Sequence, residues 1–139
     1  MIRSVIFLLA LTICLIGRAA SADIIEIDNV ALEQLRAEGV AVIDVRRQDE
    51  WERTGMIPGS HPMTFFDAKG RYDAKAWLAQ LDTIVKPDQP LVLICAHGVR
   101  SAKIAGLLDK RLGYSKVHNV TLGISEWLKE RRPVDEFNP

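Results

Sequence analysis

Two uninterrupted apolar runs, Val40-Ala41-Val42-Ile43 and Leu91-Val92-Leu93-Ile94, constrain this chain more than any other feature. A strand with one wet face alternates apolar and polar residues, so a run without alternation belongs to a strand covered on both faces. Helical and strand-like patterns alternate around both runs. Residues 24–27 read as a first strand. Residues 31–38 place Ala31 and Leu35 at helical spacing before Gly39 stops them. A polar helical stretch follows Asp44 as far as Arg53, and Gly55-Met56-Ile57-Pro58-Gly59 marks a fixed turn. Residues 61–66 suit a short edge strand, residues 74–81 a helix and residues 87–90 a loop. Residues 101–112 put Ile104, Leu107, Leu108 and Leu112 on one helical face and end at Gly113. Residues 116–120 suit a last strand and residues 124–131 a last helix. The pattern predicts an α/β fold, a mostly parallel central sheet with helices on both faces. Ligands of such sheets sit beyond the carboxyl ends of the strands, where Asp44 and Cys95 both lie.

The first 22 residues are read separately. Arg3 opens them, residues 5–16 are almost wholly apolar, and Ala20-Ser21-Ala22 fits a small-residue cleavage site, so a cleaved secretory signal is expected. The apolar core is shorter than the roughly 20 residues needed to span a bilayer, which disfavours an anchor. Cys14 raises lipidation, but Ile13 stands before it where a small residue is usual. The expected organisation is a signal over residues 1–22 and one domain over residues 23–139, with no membrane association after cleavage. Cleavage removes Arg3, Arg18 and Cys14, so the basic residues fall from 18 to 16 against 18 acidic ones. With no basic block, the electrostatic footprint of a nucleic-acid binder is absent.

Cys95 is then the sole cysteine, and no internal disulfide can form. A lone thiol in an oxidising compartment must be inert, pair with another chain, or do chemistry. Its setting favours chemistry. A tight loop, Ala96-His97-Gly98-Val99, leads from the strand into a helix, and the loop N–H groups and the helix's positive end favour a thiolate. Gly98 permits a close backbone approach. Arg100 adds a permanent charge with a planar fork of donors, and Ser101 is placed as N-cap or as a further donor. The same parts form an anion cradle, which points to a small negatively charged substrate.

"CAHGVRS" after an apolar strand, "DVRRQDEWERTGMIPGSHP" upstream and "LGISEWLKERRPV" downstream resemble the rhodanese-like (sulfurtransferase) family over nearly all of residues 24–134. The upstream match comprises Asp44-Val45-Arg46, Glu50-Trp51 and the Gly55 turn; the downstream match comprises Gly123, Trp127, Pro133 and Val134. A signal peptide on one such domain is similar to small periplasmic members, which implies a periplasmic location. The resemblance implies a three-layer α/β/α domain. It also implies that Cys95 is the nucleophile that becomes a persulfide, inside an active-site loop formed by Ala96, His97, Gly98, Val99, Arg100 and Ser101. The donor would be thiosulfate or a related anion, and the acceptor a thiol, cyanide or a protein sulfur partner. No cofactor is implied beyond the covalent sulfur.

Phosphatases and arsenate reductases of the same family have one more residue between Cys and Arg; four stand between Cys95 and Arg100, as in the sulfur-transferring branch. A non-catalytic persulfide carrier or interaction module would use the same pocket. Three positions depart from the family pattern: Ala96 where many members have arginine, Met56 where histidine is usual, and Leu122 in place of a glycine. They bear on thiosulfate affinity. His97 is a candidate proton donor or a rim residue. Asp44 and Arg46 are candidates to orient the loop, or a structural ion pair. Trp51, Trp77 and Trp127 read as packing, and Arg131-Arg132 as a solvated helix end. With His61 and His118 far away in sequence and no zinc-type spacing, no metal site is expected.

Overall fold

The computed structural model describes residues 24–139; the expected signal segment and Cys14 lie outside them. Five parallel strands form one sheet: β1 (Ile25–Ile27), β2 (Ala41–Asp44), β3 (His61–Pro62), β4 (Leu91–Ile94) and β5 (Val117–Val120), in the order β1-β5-β4-β2-β3. Among the described residues five helices accompany them, α1 (Asn29–Ala37), α2 (Gln48–Thr54), α3 (Ala74–Leu81) and α4 (Val99–Leu112) between successive strands and α5 (Gly123–Lys129) after the last.

Strand pleating explains why the two apolar runs had no polar alternation. Ile43, Leu91, Leu93 and Cys95 point to one face, where Trp77 and Leu81 of α3 and Ile104, Ala105 and Leu108 of α4 cover them. Val42, Val92 and Ile94 point to the other, against Leu32 of α1 and Ile124 and Trp127 of α5. Both faces of β2 and β4 are dry, so apolar side chains are favoured at every position. Each fully buried Leu or Ile contributes roughly 1.5–3 kcal/mol from removal of apolar area from water.

The edge strand is shorter than the sequence pattern suggests. Only His61 and Pro62 are in strand register with β2; Met63 and Phe65 turn their side chains into the core while their N–H groups still donate to the Asp44 carbonyl at 2.9 Å and the Val45 carbonyl at 3.4 Å. The Arg131-Arg132 pair also departs from the solvated end expected of it. Arg132 stacks 5.1 Å from the Trp127 ring, pairs with Glu33 at 2.6 Å and also pairs with Glu130, so it clamps the end of α5 onto α1. Only Arg131 is exposed, in the left-handed region at φ 54°.

Candidate active site

Cys95 is the first residue after β4, the strand held between β2 and β5, and it is 1% exposed. Two donors meet its sulfur: the Ser101 hydroxyl at 3.2 Å and the Ser101 backbone N–H at 3.5 Å. Ser101 is not the N-cap. The helix starts two residues earlier than its apolar periodicity suggests, with Gly98 as N-cap, and Ser101 falls in the first turn with its side chain turned inward and fully buried. Its single hydroxyl proton serves either the sulfur or the Gly98 carbonyl, also 3.2 Å away.

The loop is held from outside by glycines and by the start of α5. Gly98 has φ 83°, and a Cβ there would lie 2.0 Å from the Thr121 carbonyl oxygen. Gly123 has φ 61°, and a Cβ there would sit 2.5 Å from the carbonyl oxygens of Cys95 and Ala96. These close approaches let Ile124 N–H donate to the Cys95 carbonyl at 2.9 Å and Ser125 N–H to the Ala96 carbonyl at 3.0 Å. Free amides at a helix start therefore fix the first two carbonyls of the loop. Beneath it, Asn119 of β5 donates through Nδ2 to the Gly98 carbonyl at 3.3 Å and to Glu26 at 2.9 Å.

Arg100 closes the loop against α2. Its two terminal nitrogens donate to the Glu50 carboxylate at 2.8 and 2.6 Å, a bidentate pair whose side chains are 26% and 8% exposed. Burial pushes the Glu50 carboxyl up. The Arg100 hydrogen bonds, the Arg47 backbone N–H and both positive charges outweigh it and bring the pKa to about 2. Glu50 in turn raises the Arg100 guanidinium, with smaller contributions from Cys95 and Asp44.

The Rhodanese-like domain model matches residues 28–130. The chain belongs to the rhodanese-like domain family. Among its relatives, Thiosulfate sulfurtransferase 18 of Arabidopsis thaliana is 27% identical over 117 residues, which cover 81% of this chain and 85% of that protein. Thiosulfate sulfurtransferase GlpE of Pseudoalteromonas translucida (strain TAC 125) is 28% identical over 96 residues, 69% of this chain and 80% of that protein. A solved rhodanese-related protein from Thermoplasma volcanium superposes with a TM-score of 0.59 at 28% identity, covering 81% of this chain and 99% of that one.

The loop residues of this rhodanese-like domain form one ring, with different exposures. His97 and Val99 face solvent, Ala96 is half-buried, and Gly98 is buried. His97 Nδ1 lies 3.1 Å from the Ser125 hydroxyl, which ties it to the rim at α5. Asp44 and Arg46 do not join the ring. They form a buried ion pair at 2.7 Å, and the remaining Arg46 donors reach the Thr54 hydroxyl at 2.8 Å and the Gly55 carbonyl at 2.9 Å. Arg46 thereby ties Asp44, at the end of β2, to Thr54 and the Gly55 turn.

The loop's supports, Glu50, Asn119 and Gly123, were absent from the candidate site residues. Two left a trace in the sequence, since Glu50 and Gly123 stand inside the family-like segments. Asn119 shows only as a polar residue in an otherwise buried strand.

The Glu50–Arg100 pair is expected to contribute to stability. The folded pKa of Glu50 lies below its ordinary value of 4.5, so the stabilisation is present above that value and is lost as pH falls toward 2. The shift corresponds to about 3 kcal/mol at most, reduced by the partial exposure of Arg100. Glu50→Gln should lower the urea midpoint at pH 7 and flatten the acid limb of stability between pH 4.5 and 2. An acid limb unchanged from wild type would show that the pair does not set it.

Proposed function

We propose that this domain transfers sulfane sulfur from thiosulfate, or a related anionic donor, to a thiophilic acceptor through a persulfide on Cys95. The observation that carries the reading is a single thiol at the end of the central strand. It is almost fully buried and held by Ser101 inside a six-residue loop that ends in Arg100. Near-complete burial suits a slim sulfur atom better than a bulky tetrahedral group. The sulfurtransferase relatives support the same direction.

In the first step the Cys95 thiolate attacks the outer sulfur of thiosulfate. A new S–S bond forms, the S–S bond of thiosulfate breaks with its electron pair, and sulfite leaves. The product is a Cys95 persulfide anion, and charge is conserved. The Ser101 N–H and hydroxyl stabilise negative charge at the sulfur, while Arg100 keeps further N–H donors free for the departing anion. In the second step an acceptor thiolate or cyanide takes the outer sulfur, and the electron pair returns to Cys95. The test is intact mass after incubation of reduced protein with thiosulfate. One added sulfur, removed by cyanide with formation of thiocyanate, is the expected result. No added sulfur from either thiosulfate or an organic persulfide would overturn the reading.

A periplasmic location after signal cleavage belongs to the same proposal. It draws on the apolar segment before Ala22. Among the described residues, no helix is long and apolar enough to cross a membrane. N-terminal sequencing of the exported protein should begin at Asp23; residues 1–22 retained in a membrane fraction would refute it.

A further inference from the structure

A hollow of about 330 Å³ begins at Arg100, the last residue of the six-residue sulfur loop, and is bounded further by Arg47, Phe66, Asp67 and Lys103. A second hollow of about 400 Å³ adjoins it, sharing Phe66 and Lys103 and reaching Tyr72, Leu107 and Lys110.

One wall is aromatic and preformed. Phe65 packs edge-on against Trp77 at 5.1 Å and Phe66 at 4.8 Å, and Tyr72 stacks on it at 4.9 Å while staying 58% exposed. The turn that carries these rings is closed by Asp67, which accepts from the backbone N–H groups of Lys69 and Arg71 and from the Arg71 side chain. The other wall is α4, where Arg100, Lys103, Leu107 and Lys110 follow one another at helical spacing.

Charge along the groove is uneven. Asp49 and Glu50 hold Arg47, Glu50 holds Arg100, and Arg71 pairs with Asp67. Lys103 and Lys110 are exposed and make no ion pair among the described residues. Two uncompensated ammonium groups therefore flank an apolar floor.

We propose that this groove docks the sulfur acceptor, and that the acceptor is a protein segment in which a cysteine is followed by apolar and then acidic side chains. The proposal rests on the sulfurtransferase reading. At about 1.5 Å per residue, α4 covers about 15 Å from Arg100 to Lys110. An extended segment spans that distance in four or five residues at about 3.3 Å each. A small free thiol would occupy only the inner end. The aromatic wall accepts the apolar side chains, and the two lysines pair with the carboxylates. The segment's thiol loses its proton to solvent, and its sulfur attacks the outer sulfur of the Cys95 persulfide. The S–S bond to Cys95 breaks with its electrons returning to Sγ, and the segment leaves as a persulfide.

The experiment loads Cys95 from thiosulfate and discharges it with either of two blocked synthetic peptides, Cys-Leu-Phe-Glu-Glu and Cys-Leu-Phe-Lys-Lys, each rate normalised to dithiothreitol. At low salt the glutamate peptide should have a kcat/KM about tenfold or more above the lysine peptide, and the gap should close as salt is added. In a Lys103→Glu/Lys110→Glu double variant the preference should reverse. Equal rates with wild type, or a glutamate preference that survives in the double variant, would overturn the proposal. If Cys95 takes sulfur from neither thiosulfate nor an organic persulfide, the sulfurtransferase reading fails separately. Binding of the fluorescein-labelled peptides to unloaded protein then decides the groove: preference for glutamate supports it as an acidic-segment site, and equal binding overturns it.

Discussion

Cys95→Ser should take up no sulfur from thiosulfate, with a loss of turnover on the order of 10⁴-fold or more, as when a nucleophile is removed from a catalytic unit. A serine hydroxyl is a weak nucleophile unless a base takes its proton. The groups hydrogen-bonded to the Cys95 sulfur are the Ser101 hydroxyl and N–H, both donors, and the nearby His97 has its Nδ1 directed to Ser125 at the rim. The fold should persist, since the shorter hydroxyl can accept from Ser101 in place of the sulfur. Intact mass and thiocyanate formation measure the activity, and circular dichroism measures the fold. Sulfur uptake near the wild-type level in Cys95→Ser would mean that another group carries it, and the persulfide mechanism would be wrong.

Gly98→Ala should damage both the loop and the stability of the domain. The backbone at φ 83° is costly for any residue with a Cβ, by about 1–3 kcal/mol. The added methyl would also lie 2.0 Å from the Thr121 carbonyl oxygen, which is main chain and has no rotamer to yield. Relief requires the loop to move away from the end of β5. That would break the Asn119–Gly98 hydrogen bond and shift Ser101 relative to Cys95. The expected result is a loss of at least about 2 kcal/mol in urea unfolding, with impaired sulfur uptake in the fraction that folds. By contrast, Gly59→Ala, with nothing within 4 Å of the added carbon, should show only the strain of its φ of 77°. Equal effects from the two substitutions would remove the argument from close approach.

Local signals made the elements of this fold legible. Residues 74–81 and 91–94 match α3 and β4 at both ends, because a strong apolar pattern there coincides with real burial on the corresponding faces. Elsewhere tertiary contacts moved the boundaries. The start of α4 lies at Val99 because Gly98 adopts a left-handed cap against Thr121, which no periodicity reports. The edge strand's register ends at Pro62 because its partner β2 ends at Asp44, although Met63 and Phe65 still donate to the carbonyls of Asp44 and Val45.

The candidate nucleophile and its loop were readable for the same reason: Cys95 to Ser101 are contiguous, and the chemistry of thiol, glycine, arginine and serine depends on short-range geometry. The supports of that loop come from distant segments. Glu50 meets Arg100 across 50 residues, and Asn119 meets Gly98 across 21.

By itself the sequence determined the alternation of strands and helices, the dryness of the two central strands and the placing of one thiol at a strand end, since all of these follow from hydrophobic period and turn chemistry. Only the tertiary structure decided that Arg100 is gripped by Glu50, that Asp44 and Arg46 serve the Gly55 turn, and that α5 lends its first amides to the loop. Those contacts require the order β1-β5-β4-β2-β3, in which β5, late in the chain, lies directly beside β4 and brings Asn119 and Gly123 under the sulfur loop. Order along the chain does not specify neighbours in a parallel sheet; packing of both helical layers over its faces does.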